Sequence, residues 1–307
     1  MRPSIICLLL ALTSIAGHSQ KPFDFFALGD MPYYNPEDIE KFKKLTDKIN
    51  EQKPAFTVHV GDIKNGHSPC SDDYYKMMLG MLNRFQAPLV YTPGDNEWTD
   101  CGRTAAGGFD AVERLHVLRS IYFPNSQSLG SKPMKLTSQR EMPGFEEFVE
   151  NALWRRESVT FATLHVVGSN NNYISNGADN SEFLKRDSAN MRWLSQVFET
   201  ARRNNDAGVV IFMHAAMNYL STDENGFTNV IAKLRTEVPA FKKPVLLIYG
   251  DHHSFLISKP LTDSEKKLIQ NFTALMVFGE TEVNAVKIHV DPRSRQVFSF
   301  SEFLMDY

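Results

Sequence analysis

Phe56-Thr57-Val58-His59-Val60 runs directly into Gly61-Asp62-Ile63-Lys64-Asn65, and Leu89-Val90-Tyr91-Thr92 runs into Pro93-Gly94-Asp95-Asn96-Glu97-Trp98. Each begins as a short, largely apolar run rich in β-branched and aromatic residues, the pattern of a strand buried on both faces. Each then reaches Gly followed by Asp. Glycine lets the backbone bend sharply and approach another group closely. The Asp behind it projects past the carboxyl end of the strand, where ligands collect in α/β proteins.

The same ending recurs on both sides of these segments. Phe23–Leu28 runs into Gly29-Asp30-Met31-Pro32-Tyr33, and Val245–Tyr249 runs into Gly250-Asp251-His252-His253. Val209–Met213 ends at His214. A single Gly-Asp is more often a turn than a ligand. Several at strand ends, joined by His214 and His253, form a stronger pattern. Carboxylates and imidazoles arriving from separate strands need a cation to offset their repulsion.

Further strands are predicted at Val159–Val167, Ala274–Phe278, Ala285–Val290 and Gln296–Phe300. Helices are predicted at Pro36–Glu51, Asp72–Phe85, Phe109–Ile121, Ala189–Asn204 and Thr228–Leu234. Asn35 ahead of Pro36, with acidic residues in the first turn, is a helix start signal. Residues 124–156 are irregular and carry Pro, Gly and Ser, which reads as an insertion or a cover over the site. Strands alternate with helices early in the chain and strands dominate late. That order predicts one α/β domain with a mixed sheet or a pair of packed sheets.

With 42% hydrophobic and 22% charged residues, the 307-residue chain can bury a core. Its net charge of -3 and the lack of a long basic run exclude the footprint of a nucleic-acid binder. Arg2, the apolar run Ile5–Leu12 and the small and polar residues from Thr13 to Ser19 follow the order of a secretory signal peptide. The expectation is a cleaved leader at 1–19, a single domain at 20–307 with no membrane span, and a secreted or periplasmic protein. An uncleaved anchor is the alternative. Cys70 and Cys101 are then an even pair in a compartment where disulfides persist. A bridge between them is expected, with two free buried thiols as the alternative.

The series of motifs resembles, in order and over most of the mature chain, the five motifs of calcineurin-like metallophosphoesterases. That resemblance implies an α/β four-layer sandwich, two mixed β-sheets flanked by helices, and two divalent metal ions that share one Asp. It assigns Asp30 and His253 to one ion, Asp62 to both, and Asp95, His214 and Asp251 to the other. Pro32 stands where the first motif has His. Purple acid phosphatases also lack that His and supply a Tyr three residues past the shared Asp. Asn65 stands at that place here and is carried as a candidate ligand. Asn96 stands where the family has the His that assists the leaving group, and an amide cannot shuttle a proton near neutral pH.

The resemblance implies an exported phosphoesterase for a small phosphate mono- or diester, with hydroxide bridging the ions attacking phosphorus in line. A catalytically weak, metal- or ligand-binding member of the same fold is the alternative. The usual site sets two ligand carboxylates against two ions, whereas this one sets four. Such an oxygen-rich site favours Mn, Fe, Mg or Ca over Zn. His67, His165 and His252 are the candidate proton donors, with His252 beside His253. Glu97 is read as orienting a ligand or water, Tyr33 and Trp98 as cleft walls, Asn170-Asn171-Asn172 as a polar turn, and His59 as a packed residue.

Overall fold

A computed structural model describes residues 20–33, 35–175, 179–280 and 282–307. The expected leader at 1–19 lies outside them. Strands form at β1 Phe23–Leu28, β2 Thr57–His59, β3 Leu89–Tyr91, β4 Thr137–Ser138, β5 Ala152–Arg156 and β6 Val159–Thr163. They continue at β7 Gly208–Phe212, β8 Val245–Tyr249, β9 Leu256–Ser258, β10 Phe272–Met276, β11 Ala285–Val290 and β12 Phe298–Phe303. The main helices are α1 Pro36–Gln52, α2 Asp72–Leu82, α3 Ala111–Tyr122, α4 Ser181–Arg203 and α5 Thr228–Phe241.

The strands make two mixed sheets, as expected. One has the order β12-β11-β1-β2-β3 and the other β4-β5-β6-β7-β8-β10-β9. In the first, β1, β2 and β3 are parallel and β11 and β12 antiparallel. In the second, β6, β7, β8 and β10 are parallel, with β5, β4 and β9 antiparallel at the flanks. The sheets pack face to face through aromatic rings. Phe25 of β1 lies 5.8 Å from Phe161 of β6 and 5.9 Å from Phe212 of β7, and Trp154 of β5 stacks on Phe212 at 5.8 Å.

Side chains alternate across a strand, and β7 and β8 use both faces. Val210, Phe212, Leu246 and Ile248 face the core between the sheets. Val209, Ile211, Val245 and Leu247 face the core under α4 and α5, among Leu194, Val197, Leu234 and Val238. A layer of helix therefore covers the far side of the larger sheet, while α1, α2 and α3 bury Phe42, Tyr75 and Leu118 against the core of the smaller one. This double coverage is why the central strands β7 and β8 are almost wholly apolar.

Several boundaries shift. Helix α1 starts at Pro36, with Asn35 Oδ1 accepting from Asp38 N at 2.8 Å. Helix α4 begins eight residues before the predicted Ala189, at Ser181. Its first turns bury Arg186, a charge that reads as loop in the sequence. Helix α5 continues through Pro239, which sits in the last turn. There its ring ends the helix instead of breaking its middle. Residues 124–156 contribute β4 and β5 to one edge of the larger sheet. Among the described residues, no helix is long and apolar enough to cross a membrane.

Candidate metal centre

The loops at the carboxyl ends of β1, β2, β3, β7 and β8 meet at one place. Asp30, Asp62, Asp251 and His253 all take positive φ there, at 54°, 55°, 78° and 59°. Non-glycine residues adopt this conformation at some cost, and such strain concentrates at functional sites. The glycines between them leave room for close approach. A Cβ on Gly94 would fall 2.0 Å from Asp62 Oδ1, and one on Gly250 would fall 2.2 Å from Asp30 Oδ2.

His214 sits at the middle and is fully buried. Its Nδ1 donates to the Val60 carbonyl oxygen at 2.9 Å. That bond fixes the proton on Nδ1 and leaves a lone pair on Nε2. Nε2 lies 3.0 Å from Asp95 Oδ1, 3.4 Å from Asp62 Oδ1 and 4.0 Å from Asp251 Oδ1. It has no hydrogen-bond partner. A buried nitrogen lone pair surrounded by carboxylate oxygens is costly in a protein interior, and a cation resolves it. Ligand atoms of Asp30, Asp62 and His214 lie within 4.8 Å of one another, and so do those of Asp95, His214 and Asp251. The donor set, oxygen-rich with imidazole, fits divalent ions.

The supporting bonds hold each group in place. Asp30 accepts from the backbone N–H of Asp251 at 3.0 Å. Asp62 accepts from Asn96 N at 3.1 Å and Asn96 Nδ2 at 2.5 Å. Asp95 Oδ2 accepts from Ser169 Oγ at 2.7 Å, and Asp251 Oδ2 from Ala216 N at 2.8 Å. His253 Nε2 lies 3.5 Å from Asp30 Oδ1 and 2.8 Å from the Tyr33 hydroxyl, while its Nδ1 faces Glu280 at 2.9 Å. Burial raises the Asp62 carboxyl well above the ordinary carboxylate range, and Asp95, Glu97 and Asp30 push it the same way. Burial alone would lower the His214 imidazole, but Asp62, Asp95 and Asp30 around it raise it well above its usual value, so Nε2 takes a proton wherever a metal ion does not fill its lone pair.

Asp30, Asp62, Asp95, His214, Asp251 and His253 are thus brought together. The Asn65 side chain makes a local bond, with its Oδ1 accepting from His67 N at 2.8 Å. His252 is exposed at the rim. His165 is fully buried and bonded to Glu150 at 2.7 Å, so it cannot meet a substrate. Trp98 is also fully buried, against His165 and beneath Arg186, and is core rather than cleft wall. Tyr33 does reach the site. Glu97 is fully buried, and its Oε1 accepts from Ile63 N at 2.8 Å and Tyr91 Oη at 3.0 Å. It therefore fixes the backbone next to Asp62.

Three contributors were not foreseen from the sequence. Lys64 is fully buried, with Nζ donating to the carbonyl oxygens of Asn65 and Asn96 at 2.9 and 2.7 Å. Arg103 pairs with Asp100 at 2.8 Å. Ser169 opens a left-handed turn in which Ser169, Asn170, Asn171 and Asn172 have φ of 48°, 54°, 55° and 59°. Arg186 pins that turn through Asn171 Oδ1 and the Asn171 carbonyl. The cue for Ser169 was the run of Asn, which tolerates left-handed backbone. Nothing local marks Lys64 or Arg103. Cys70 and Cys101 are bonded to each other, with Cα atoms 5.8 Å apart. They tie the segment after Asp62 to the segment after Asp95.

The family described as calcineurin-like phosphoesterase matches residues 23–255. A dimetal phosphatase from Danio rerio is similar in structure at a TM-score of 0.50 and 13% identity, covering 92% of this chain and 98% of that one. Purple acid phosphatase PPD1 from yellow lupin (Lupinus luteus) seeds gives a TM-score of 0.52 at 13% identity, covering 94% of this chain and 55% of that one. At such identities the likeness is one of fold. No curated protein matches the sequence.

Proposed function

Because the chain belongs to the calcineurin-like phosphoesterase family, we propose that it is an exported hydrolase of small phosphate mono- or diesters that works with two divalent ions. The convergence of His214 Nε2 with carboxylates from separate strands, an arrangement that draws positive charge to one point, carries this reading. Asp30, Asp62 and His253 would hold one ion, and Asp62, Asp95, His214 and Asp251 the other. When bound, such ions acidify water toward neutrality and draw charge from a phosphoryl group.

The protein's own groups do the rest. Asn96 orients Asp62 through two bonds, Ser169 orients Asp95, and Glu280 orients His253. Four carboxylates leave two divalent ions with almost no net charge. That balance favours hard ions such as Mn, Fe, Mg or Ca over Zn. It also favours substrates whose leaving group needs no proton, because Asn96 cannot supply one.

The test joins elemental analysis with an aryl phosphate panel. Protein purified without added metal is expected to carry two manganese, iron, magnesium or calcium ions, and Asp62→Asn to lose ions and turnover together. Equal, slow hydrolysis by wild type and Asp62→Asn sinks the enzyme and leaves a metal-binding member of the fold. Stoichiometric zinc held far more tightly than manganese sinks the metal assignment.

A further inference from the structure

Asn96 joins groups of both signs. Its Nδ2 bonds Asp62, and two cations, Lys64 and Arg103, lie near its oxygens. The Lys64 ammonium is buried beneath it, bonded to the Asn96 carbonyl oxygen at 2.7 Å. Arg103 lies beside it, with a side chain 47% exposed and so open to a ligand. One edge of that guanidinium is occupied, since Nη2 meets Asp100 Oδ2 at 2.8 Å. The other edge is defined by Gly66. A Cβ there would fall 2.2 Å from Arg103 Nη1 and 2.9 Å from Asn96 Oδ1. The guanidinium and the amide oxygen therefore face each other across a residue that has no side chain to separate them.

Asn96 Nδ2 is meanwhile committed to Asp62 Oδ2 at 2.5 Å. This places Arg103 next to the amide that touches the carboxylate assigned to both ions. Neither group at this position can protonate a departing oxygen. Asn carries no titratable proton, and Arg does not release one in proteins. What Arg103 offers, on the edge that Asp100 leaves free, is planar N–H donors that suit an oxyanion such as phosphate.

We propose that Arg103 receives the leaving group, and that this leaving group is itself a phosphate, so that the bond cleaved is a phosphoanhydride. The assignment rests on the two-ion phosphoryl-hydrolase reading above and moves its preferred substrate from esters to anhydrides. Water oxygen forms a bond to the terminal phosphorus. The bond from that phosphorus to the bridging oxygen breaks, and its electron pair stays on the bridging oxygen. The departing phosphate leaves as an anion against Arg103. Of the two protons of the water, one passes to solvent as the oxygen attacks and the other stays on the new phosphate product, so no proton donor is required. An alkoxide leaving group would require one, and general acid catalysis is typically worth roughly 10²–10⁴-fold.

The experiment compares kcat and KM for inorganic pyrophosphate, 4-nitrophenyl phosphate and glycerol phosphate, using metal-loaded wild type, Arg103→Gln, Arg103→Lys, His67→Gln and His252→Gln. Wild type is expected to cleave pyrophosphate best and glycerol phosphate worst. Arg103→Gln is expected to lower kcat/KM for pyrophosphate about 10²-fold, mostly through kcat, and for 4-nitrophenyl phosphate by less than about tenfold. Arg103→Lys should recover part of the loss, which separates a charge effect from misfolding. Equal losses on all three substrates overturn the proposal. So does a wild type that cleaves glycerol phosphate as fast as pyrophosphate, or a collapse of glycerol phosphate turnover in His67→Gln or His252→Gln, which would reveal a proton donor. Absence of turnover on every substrate in wild type defeats the phosphoesterase reading itself.

Discussion

Replacing both Cys70 and Cys101 with Ala removes a cross-link between residues 31 apart in sequence. Closing a loop of that length in the unfolded chain is worth about 3.7 kcal/mol at 25 °C. Both cysteines are also fully buried, and truncating the two together to methyl groups adds roughly 1 kcal/mol of lost packing. The expected loss is about 5 kcal/mol, against a typical margin of roughly 5–15 kcal/mol for a folded domain. Urea denaturation at fixed metal concentration measures it. The midpoint should fall and the slope should rise, because an unlinked chain exposes more surface when unfolded. The effect should also reach the site, since the bridge ties the segment following Asp62 to the one carrying Asn96 and Arg103. At temperatures where the variant remains folded, pyrophosphate turnover should drop more than 4-nitrophenyl phosphate turnover. A stability loss below about 1 kcal/mol would refute the loop-closure argument.

Two other perturbations test the surroundings of the site. His59 is fully buried, and burial lowers its imidazole to about 4. The unfolded chain binds that proton near pH 6.5 and the folded protein does not, so stability is lost as pH falls from about 6.5 to about 4, by on the order of 3 kcal/mol in all. Urea unfolding at pH 7 and at pH 4.5 should show His59→Gln losing less on acidification than wild type, and parallel losses would remove His59 from the account. Gly168→Ala puts a methyl group 2.7 Å from Asp95 Oδ1 and 2.8 Å from Asp251 Oδ1. Elemental analysis should then find about one ion per chain, and two ions held with unchanged affinity would contradict the placement of those carboxylates.

Much of this architecture is legible because the strands are covered on both faces. Phe23–Leu28, Val245–Tyr249 and Ala285–Val290 form as their apolar runs predict. The segment β5 escapes notice because Arg155 and Arg156 break its apolar pattern, although Arg155 pairs with buried Asp206. Val159–Val167 reads as one strand, yet the ladder stops at Thr163. Leu164 to Val167 leave the sheet fully buried, so composition cannot mark the exit. At the centre, Gly-Asp turns announce the acidic groups. The Arg103–Gly66–Asn96 contact is invisible in sequence because it joins two loops through the absence of a side chain. Lys64 is hidden for a different reason: lysine is almost never fully buried unless it is paired, and its partners here are backbone carbonyls.

The two sheets differ in what they bring to the cluster. Asp30, Asp62 and Asp95 follow strands of the smaller sheet, while His214, Asp251 and His253 follow strands of the larger one. A cation gripped by both sets would act as a rivet across the seam. Chelation would then leave each sheet's own ladder intact and free the joint between them, with loosening expected to start at the strand tips and move toward the aromatic slab of Phe25, Phe161 and Phe212. The ions would in this way be mechanical fasteners as well as chemical ones.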